Sequence, residues 1–314
     1  MSNSAANKNT LRWPGAGLVR NLLRHYELYI MVLPAVVYIF VFCYIPMYGV
    51  QIAFRDFYPG YTITGSRWLG LENIIRFFNT YMCAQVIGNT LRISIMSLLF
   101  GFPLPILLAL QLNTLTRLRL KKSLQMVSYA PYFISVTCMA GIMQIMLSQR
   151  GIVTQALGLV GFSQENYLGI PSAFSWVYAL CNTWKGAGWN SIIYISALAG
   201  VDMQLYEAAR IDGANRLQMI RHIDIPSIMP TVVILLILNC GQIMSVGWEM
   251  ILLLQNAVNL DTSEVISTYT YKVGLKSGEY SYSTAIGLFN SVVNLTLLVV
   301  VNTFARKVGE TSLW

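Results

Sequence analysis

Charged side chains are scarce in this 314-residue chain, which is 55% hydrophobic and only 11% charged, so the places where they gather or stand alone are where its chemistry must be sought. They gather in one segment, where Glu207, Arg210, Asp212, Arg216, Arg221 and Asp224 alternate with Leu205, Ala208, Ala209, Leu217, Ile220 and Ile223. One stands alone: Lys185 interrupts an otherwise uncharged run from Asn166 to Val201. Neither pattern suits covalent catalysis. The sequence has no GxxxxGK[ST] phosphate loop, no HExxH and no GxSxG. Its two histidines, His25 and His222, have no ligand spacing. The five cysteines, Cys43, Cys83, Cys138, Cys181 and Cys240, are scattered singly as small apolar residues would be. The chemistry left is non-covalent: docking by the charged segment, and polar contacts around the lone lysine.

The elements that must position these groups are long apolar helices. A bilayer crossing takes about 20 mostly apolar residues. Uncharged runs cover Leu28–Phe54, Ile93–Thr116, Ser123–Gln149, Ile225–Trp248 and Tyr280–Ala305, and Asn166–Val201 is broken only by Lys185. Six spans are expected, in an all-α integral membrane protein with a six-helix domain over 28–305. The first run is too long for the apolar core of a signal peptide and no small-x-small site closes it, so it reads as an uncleaved helix. Basic residues then orient the bundle. Lys8, Arg12, Arg20 and Arg24 precede the first span, and Arg117, Arg119, Lys121 and Lys122 separate the second from the third. Arg210, Arg216 and Arg221 lie between the fourth and fifth, and Arg306 and Lys307 follow the sixth. These are 13 of 21 Lys and Arg, all on one side, which should be cytoplasmic and should hold both termini, 1–27 and 306–314. The net charge of +8 follows from this bias and calls for no nucleic acid.

The charged segment, 202–226, is too patterned for a plain connector. Asp202 can cap a helix starting near Met203. Gly213 can end it in a left-handed conformation, and Pro226 suits the first turn of the next span. The physics alone leaves two readings open: a docking element, or an amphipathic helix resting on lipid headgroups.

The string Glu207-Ala208-Ala209-Arg210-Ile211-Asp212-Gly213-Ala214, with Ile223, Pro226 and Pro230 beyond it, resembles the EAA loop of binding-protein-dependent ABC import permeases. Ile220 and Ile225 depart conservatively from an aromatic and a Leu. The resemblance implies the type I ABC importer permease fold in a bacterial cytoplasmic (inner) membrane. It implies that Glu207, Ala208, Ala209, Asp212, Gly213, Ala214 and Pro226 belong to a coupling element that docks on a cytoplasmic ATPase. It also implies that ATP is bound by partners, with no cofactor in this chain and no enzyme activity of its own. The partners implied are a second homologous permease, two ATP-binding subunits, and an extracytoplasmic solute-binding protein. Ile45-Pro46-Met47-Tyr48-Gly49, Trp68-Leu69-Gly70-Leu71-Glu72-Asn73, Gly247-Trp248-Glu249 and Tyr280-Ser281-Tyr282, together with Leu313-Trp314, resemble the oligosaccharide and polysaccharide branch of carbohydrate permeases.

A sugar pathway needs aromatic faces, amides and hydroxyls. Span four offers Trp184, Lys185, Trp189 and Asn190; span five and its outer end offer Asn239, Gln242, Trp248 and Glu249. Asn239 and Gln242 are three residues apart and share a helical face. Each has a structural alternative: the interfacial aromatic belt for Trp248, interhelical bonding for the amides, and snorkelling or a structural contact for Lys185. Counted along a continuous span, Lys185 is roughly 24 Å from the cytoplasmic end and Glu249 about 35 Å, which argues against a direct pair. If Lys185 lines the pathway, acidic sugars should be favoured. The competing classes are a stand-alone secondary carrier or channel, which lacks intramembrane ion ligands here and leaves the loop unexplained, and a membrane-embedded enzyme, which lacks a catalytic cluster.

Overall fold

A computed structural model describes residues 24–309 and 312–313. Lys8, Arg12 and Arg20, most of the expected segment 1–27, and Trp314 lie outside the described residues. The described residues are helical apart from turns and one antiparallel bridge between Arg55 and Trp68. Contacts divide the chain after Gln51 into two units. The first is a helix, α1 (Tyr26–Phe54), whose last residues run into the second.

The second unit holds α2 (Glu72–Asn79), α3 (Met82–Asn113), α4 (Leu118–Phe133), α5 (Val136–Met146), α6 (Ile152–Leu159) and α7 (Phe174–Ala199). After these come α8 (Met203–Ile211), α9 (Arg216–Cys240), α10 (Trp248–Leu254), α11 (Ile266–Tyr271) and α12 (Tyr280–Val308). Four helices, α1, α3, α9 and α12, are long and apolar enough to cross a membrane, and a fifth crossing is made if the pair α4 and α5 counts as one. The expected fourth span, α7, has 26 residues, so roughly 39 Å of length. Asn182, Thr183, Lys185 and Asn190 keep it from the same apolar standard. It is nonetheless the central helix, packed along α3, with Phe174, Tyr178, Cys181, Tyr194 and Leu198 buried.

Three apolar clusters hold the unit together. Ile93, Met139, Met143, Tyr178 and Ile251 join α3, α5, α7 and α10. Phe77, Val86, Met244, Ile266 and Ile286 tie α2, α3, α11 and α12. Ala109, Leu110, Tyr194, Leu198 and Ile228 close the end where α3, α7 and α9 meet. Outward-facing Ile95, Leu99, Leu107, Leu295, Val299 and Phe304 are exposed, as lipid-facing side chains are.

The expected span boundaries change in four places. The third span, expected unbroken over 123–149, turns by 100° between α4 and α5. Pro131 has no N–H to continue the ladder, and the Ser135 hydroxyl accepts from Cys138 N at 3.2 Å to start the next helix. The fifth span, expected to reach Trp248, ends at Cys240. Gly241 packs against Leu298, and the departing backbone is met by Asn294, whose Oδ1 accepts from Met244 N at 3.0 Å. The depth counted for Glu249 along a continuous helix therefore does not hold. The second span starts earlier, at Met82, because Arg92 is accommodated within the helix. The fourth starts later, at Phe174, after short 3-10 turns.

Prolines shape the helices by a repeated device. Ile225 donates to Ile220 O across a widened π turn just before Pro226, and Ile45 donates to Phe40 O just before Pro46. Because proline cannot donate to the residue four back, the wider turn makes room for its ring. Pro226 lies in the first turn of the regular helix that follows this π turn, as expected, and the expected second short helix, Arg216–Met219, runs into it without a break inside α9.

The tightest helix contact is at Gly188, where a Cβ would lie 2.0 Å from Ser128 O on α4. Gly188→Val should therefore lower stability by about 1–3 kcal/mol or more, as overpacking does, seen as a lower unfolding temperature in detergent. Gly141→Ala, where a Cβ meets nothing within 4 Å, should be nearly neutral.

Candidate functional site

The charged segment forms a helix closed at both ends by its own sequence. The Asp202 carboxylate accepts from Gln204 N at 2.9 Å and caps α8. At the other end Ala214 N donates to Ala209 O (2.9 Å) and Gly213 N to Arg210 O (3.1 Å), the paired bonds of a Schellman stop. Gly213 has φ +76°, which a side chain other than glycine adopts only with strain. Asn215 and Gln218 then exchange reciprocal bonds of 2.7 and 2.9 Å and start α9.

This rigid corner projects apolar groups outward. Ile211 is 87% exposed and Leu217 73%, with Met203 and Leu205 also uncovered. Glu207, Ala208, Asp212 and Gly213 are exposed beside them, and Ala209 and Ala214 half-buried. Pro226 is exposed ten residues into α9. Apolar residues left this open beside small residues and carboxylates make a surface suited to a partner.

Beneath the corner lies a group that sequence reading quoted without giving it a role. Asp224 is 2% exposed. Its carboxylate accepts from the Tyr206 hydroxyl and from Asn113 Nδ2 (3.3 Å) at the end of α3. Burial, reinforced by the hydrogen bond to Asp224, pushes the Tyr206 phenol up to about 12. With Arg210 and Arg216 these residues line a cavity of about 230 Å³.

A second, polar region lies in the bundle. Asn190, Asn239 and Gln242 line one cleft of about 200 Å³ with Ser94, Ser97, Tyr178, Asn182 and Ser245. Lys185 and Asn190 line an adjoining one of about 260 Å³ with Tyr132, Asn182 and Thr183. Gly101, Asn182 and Asn190 border both. The Ser97 and Thr183 hydroxyls in their linings are buried without a hydrogen-bond partner. Trp189 stacks on Tyr132 with ring centroids 4.6 Å apart. Trp184 is exposed and lines neither cleft.

Trp248 and Glu249 are not brought to this region. Trp248 stacks on Tyr271 at 5.0 Å beside a separate cavity of about 270 Å³, and Glu249 is exposed at the start of α10. The ion pairs among the described residues, Arg76–Glu279 and Lys272–Glu264, involve neither Lys185 nor Glu249. Asn182 was missed by sequence reading, although it sits three, four and eight residues before Lys185, Gly186 and Asn190, a helical face that carried the signal.

Broken and continuous membrane helices around a polar cleft, with an exposed, capped corner at one end, define a membrane-embedded transport component. The family of binding-protein-dependent transport system inner membrane components matches residues 101–310, and the chain belongs to it. It is similar to the polygalacturonan/rhamnogalacturonan transport system permease protein YteP of Bacillus subtilis, at 39% identity over 95% of this chain and 93% of that one. The protein LplB of the same organism is 35% identical over 96% and 95%. Among solved structures it resembles a chain of a bacterial ABC transporter involved in the import of the acidic polysaccharide alginate. That match has a TM-score of 0.83 and 38% identity, and covers 93% of this chain and 99% of that one. A second structure of a bacterial alginate ABC transporter, in complex with an alginate pentasaccharide-bound periplasmic protein, matches equally well, with 94% and 99% covered.

The capped corner makes a local prediction. Asp202→Ala should remove about 1 kcal/mol of helix stability. Amide hydrogens of 203–211 should then exchange severalfold faster, with α9 unchanged; uniform exchange across both would contradict the cap.

Proposed function

We propose that this chain is the permease subunit of an ATP-driven ABC importer that moves oligosaccharides, acidic ones included, into the cytoplasm. The observation that carries the proposal is the α8 corner, a capped helix with exposed Ile211 and Leu217 and a glycine fixed at positive φ. Such a corner is a ready docking surface for an ATPase, since this chain's sequence holds no phosphate loop of its own. The partners are a second homologous permease, a pair of cytoplasmic ATP-binding subunits and an extracytoplasmic solute-binding protein. The last is supported by the periplasmic protein in the second alginate transporter structure.

In this reading α7 is the sixth crossing. Its polar residues are tolerated because they face clefts and neighbouring helices rather than lipid. The end carrying α8 faces the cytoplasm. Asn113 bonds to Asp224 there, so Arg117, Arg119, Lys121 and Lys122 follow directly at the same end, as the positive-inside rule requires. Both termini then lie on that side of a bacterial inner membrane.

Cargo passes by the clefts of Asn182, Lys185, Asn190, Asn239 and Gln242. Amides and hydroxyls exchange hydrogen bonds with sugar hydroxyls, and Lys185, with no carboxylate partner among the described residues, gives a uronate a counter-charge. The printed substrates of the relatives, polygalacturonan, rhamnogalacturonan and alginate, support an acidic cargo here.

Two experiments test the reading. Gly213→Val, which puts a β-branched residue at φ +76°, should cut transport in reconstituted vesicles while ATP hydrolysis and the membrane fold persist. Unchanged transport would remove the docking role. Lys185→Met should lower uptake of charged oligosaccharides about tenfold relative to neutral ones, the effect of roughly 1.4 kcal/mol. Equal losses would end the charge-selectivity idea.

A further inference from the structure

The docking helix is poorly held by anything apolar. No residue of α8 is buried, and none belongs to the three apolar clusters. On one side it follows Gly200–Val201, where a backbone can pivot, and on the other the Schellman stop at Gly213 fixes it to α9. What attaches its side chains to the bundle is Tyr206. Its hydroxyl donates to the buried Asp224 carboxylate on α9, and it accepts from Asn113 Nδ2 of α3 at 3.4 Å. Asn113 also donates to the same carboxylate, so one hydroxyl, one amide and one carboxylate join three helices.

A carboxylate this buried depends on its donors. The ion pairs among the described residues do not include Asp224, although Arg210 and Arg216 line the cavity beside it. Withdrawing either neutral donor would leave a buried charge poorly satisfied, which is the expensive outcome. The three elements are thereby constrained to move together.

We propose that Tyr206, Asp224 and Asn113 form the tether through which movement of the docking helix is passed to α3 and α9, whose residues Ser97, Asn239 and their neighbours line the polar cleft. These are positioning residues: none touches cargo or nucleotide. The inference rests on the importer reading, because it assigns the helix a partner that moves it.

Tyr206→Phe removes only the hydroxyl and tests the tether. The complex is reconstituted with its ATPase, its second permease and a binding protein loaded with an alginate pentasaccharide as the probe. Sugar transported per ATP hydrolysed should fall about fivefold or more, the low end of what coupling between two sites supplies. Stimulation of ATP hydrolysis by the loaded binding protein should fall with it, while the unfolding temperature and subunit composition stay those of the wild type. Asp224→Asn keeps an oxygen for the phenol and should recover part of the ratio. An unchanged ratio in Tyr206→Phe overturns the tether, and so does a fall matched by a lower unfolding temperature, which marks a purely structural role. Should that variant not accumulate, Asn113→Ala decides on the same readouts. A wild-type complex that never hydrolyses ATP in response to the loaded binding protein would instead remove the importer reading, and the tether with it.

Discussion

Inside a bilayer a backbone amide has no water to turn to, and this constraint governs every break in the bundle. Helices satisfy their own ladders, so the informative places are where a ladder stops. Several stops are met by a side chain from elsewhere in the unit. Asn294 of α12 accepts from Met244 N after α9 ends, and Asn256 and Asn259 donate to Leu168 O (2.8 and 2.9 Å) ahead of α7. Asn89 of α3 donates to the carbonyls of Asp261 and Glu264 (2.8 and 3.0 Å), and Asn73 to that of Ala53 (3.1 Å). Asparagine suits this work because its amide both donates and accepts on a short, stiff stem. The amides of the long helices thus divide into two sets. Asn294 holds backbone, whereas Asn182, Asn190 and Gln242 border open space.

The same constraint explains why the most polar long helix is also the most central. Away from lipid, α7 can carry Asn182, Lys185 and Asn190 at the cost of needing neighbours on nearly every side. Small residues permit that: Ala187, Gly188 and Ser191 let α4 approach until Gly188 meets the Ser128 carbonyl. In membranes, where apolar burial gives little net attraction between helices, close backbone approach of this kind is a main source of adhesion. Polar side chains and the smallness needed for packing therefore sit together on one helix.

Much of this was legible in the residues. The apolar runs located the long helices, because 20 uncharged residues admit few alternatives, and Tyr280–Ala305 agrees with α12 almost to the residue. The α8 corner was equally plain: Asp202, Gly213 and the alternation between them have local physics that tertiary context does not override. The breaks were hidden. Pro131 and Gly241 stand at the bend after Phe133 and the end at Cys240, but either residue is also tolerated inside a continuing span, so a long apolar run reads much the same whether it continues or turns. The end at Cys240 depends on Asn294 arriving in the right place, which is a property of the fold. Glu249 shows the consequence, since a depth counted along an assumed helix failed once the helix stopped. Asp224 was hidden differently. It reads as one more charge in a charged loop, and only its burial sets it apart.

That burial bears on how a rigid corner can be useful. The Schellman stop at Gly213 and the reciprocal caps of Asn215 and Gln218 fix the turn between α8 and α9, so force applied to the exposed Ile211 and Leu217 has little freedom to dissipate within it. A corner held only by its own caps could still swing as a body on Gly200. Fixing it to the bundle with an apolar plug would cost its exposed surface. A polar attachment from the opposite face avoids that conflict, since Tyr206 reaches inward to Asp224 while Glu207 and Ala208 remain outward on the same short helix. The adjacent positions 206 and 207 point about 100° apart around a helix, and that single step in register lets nine residues stay open on one side and hold the bundle on the other.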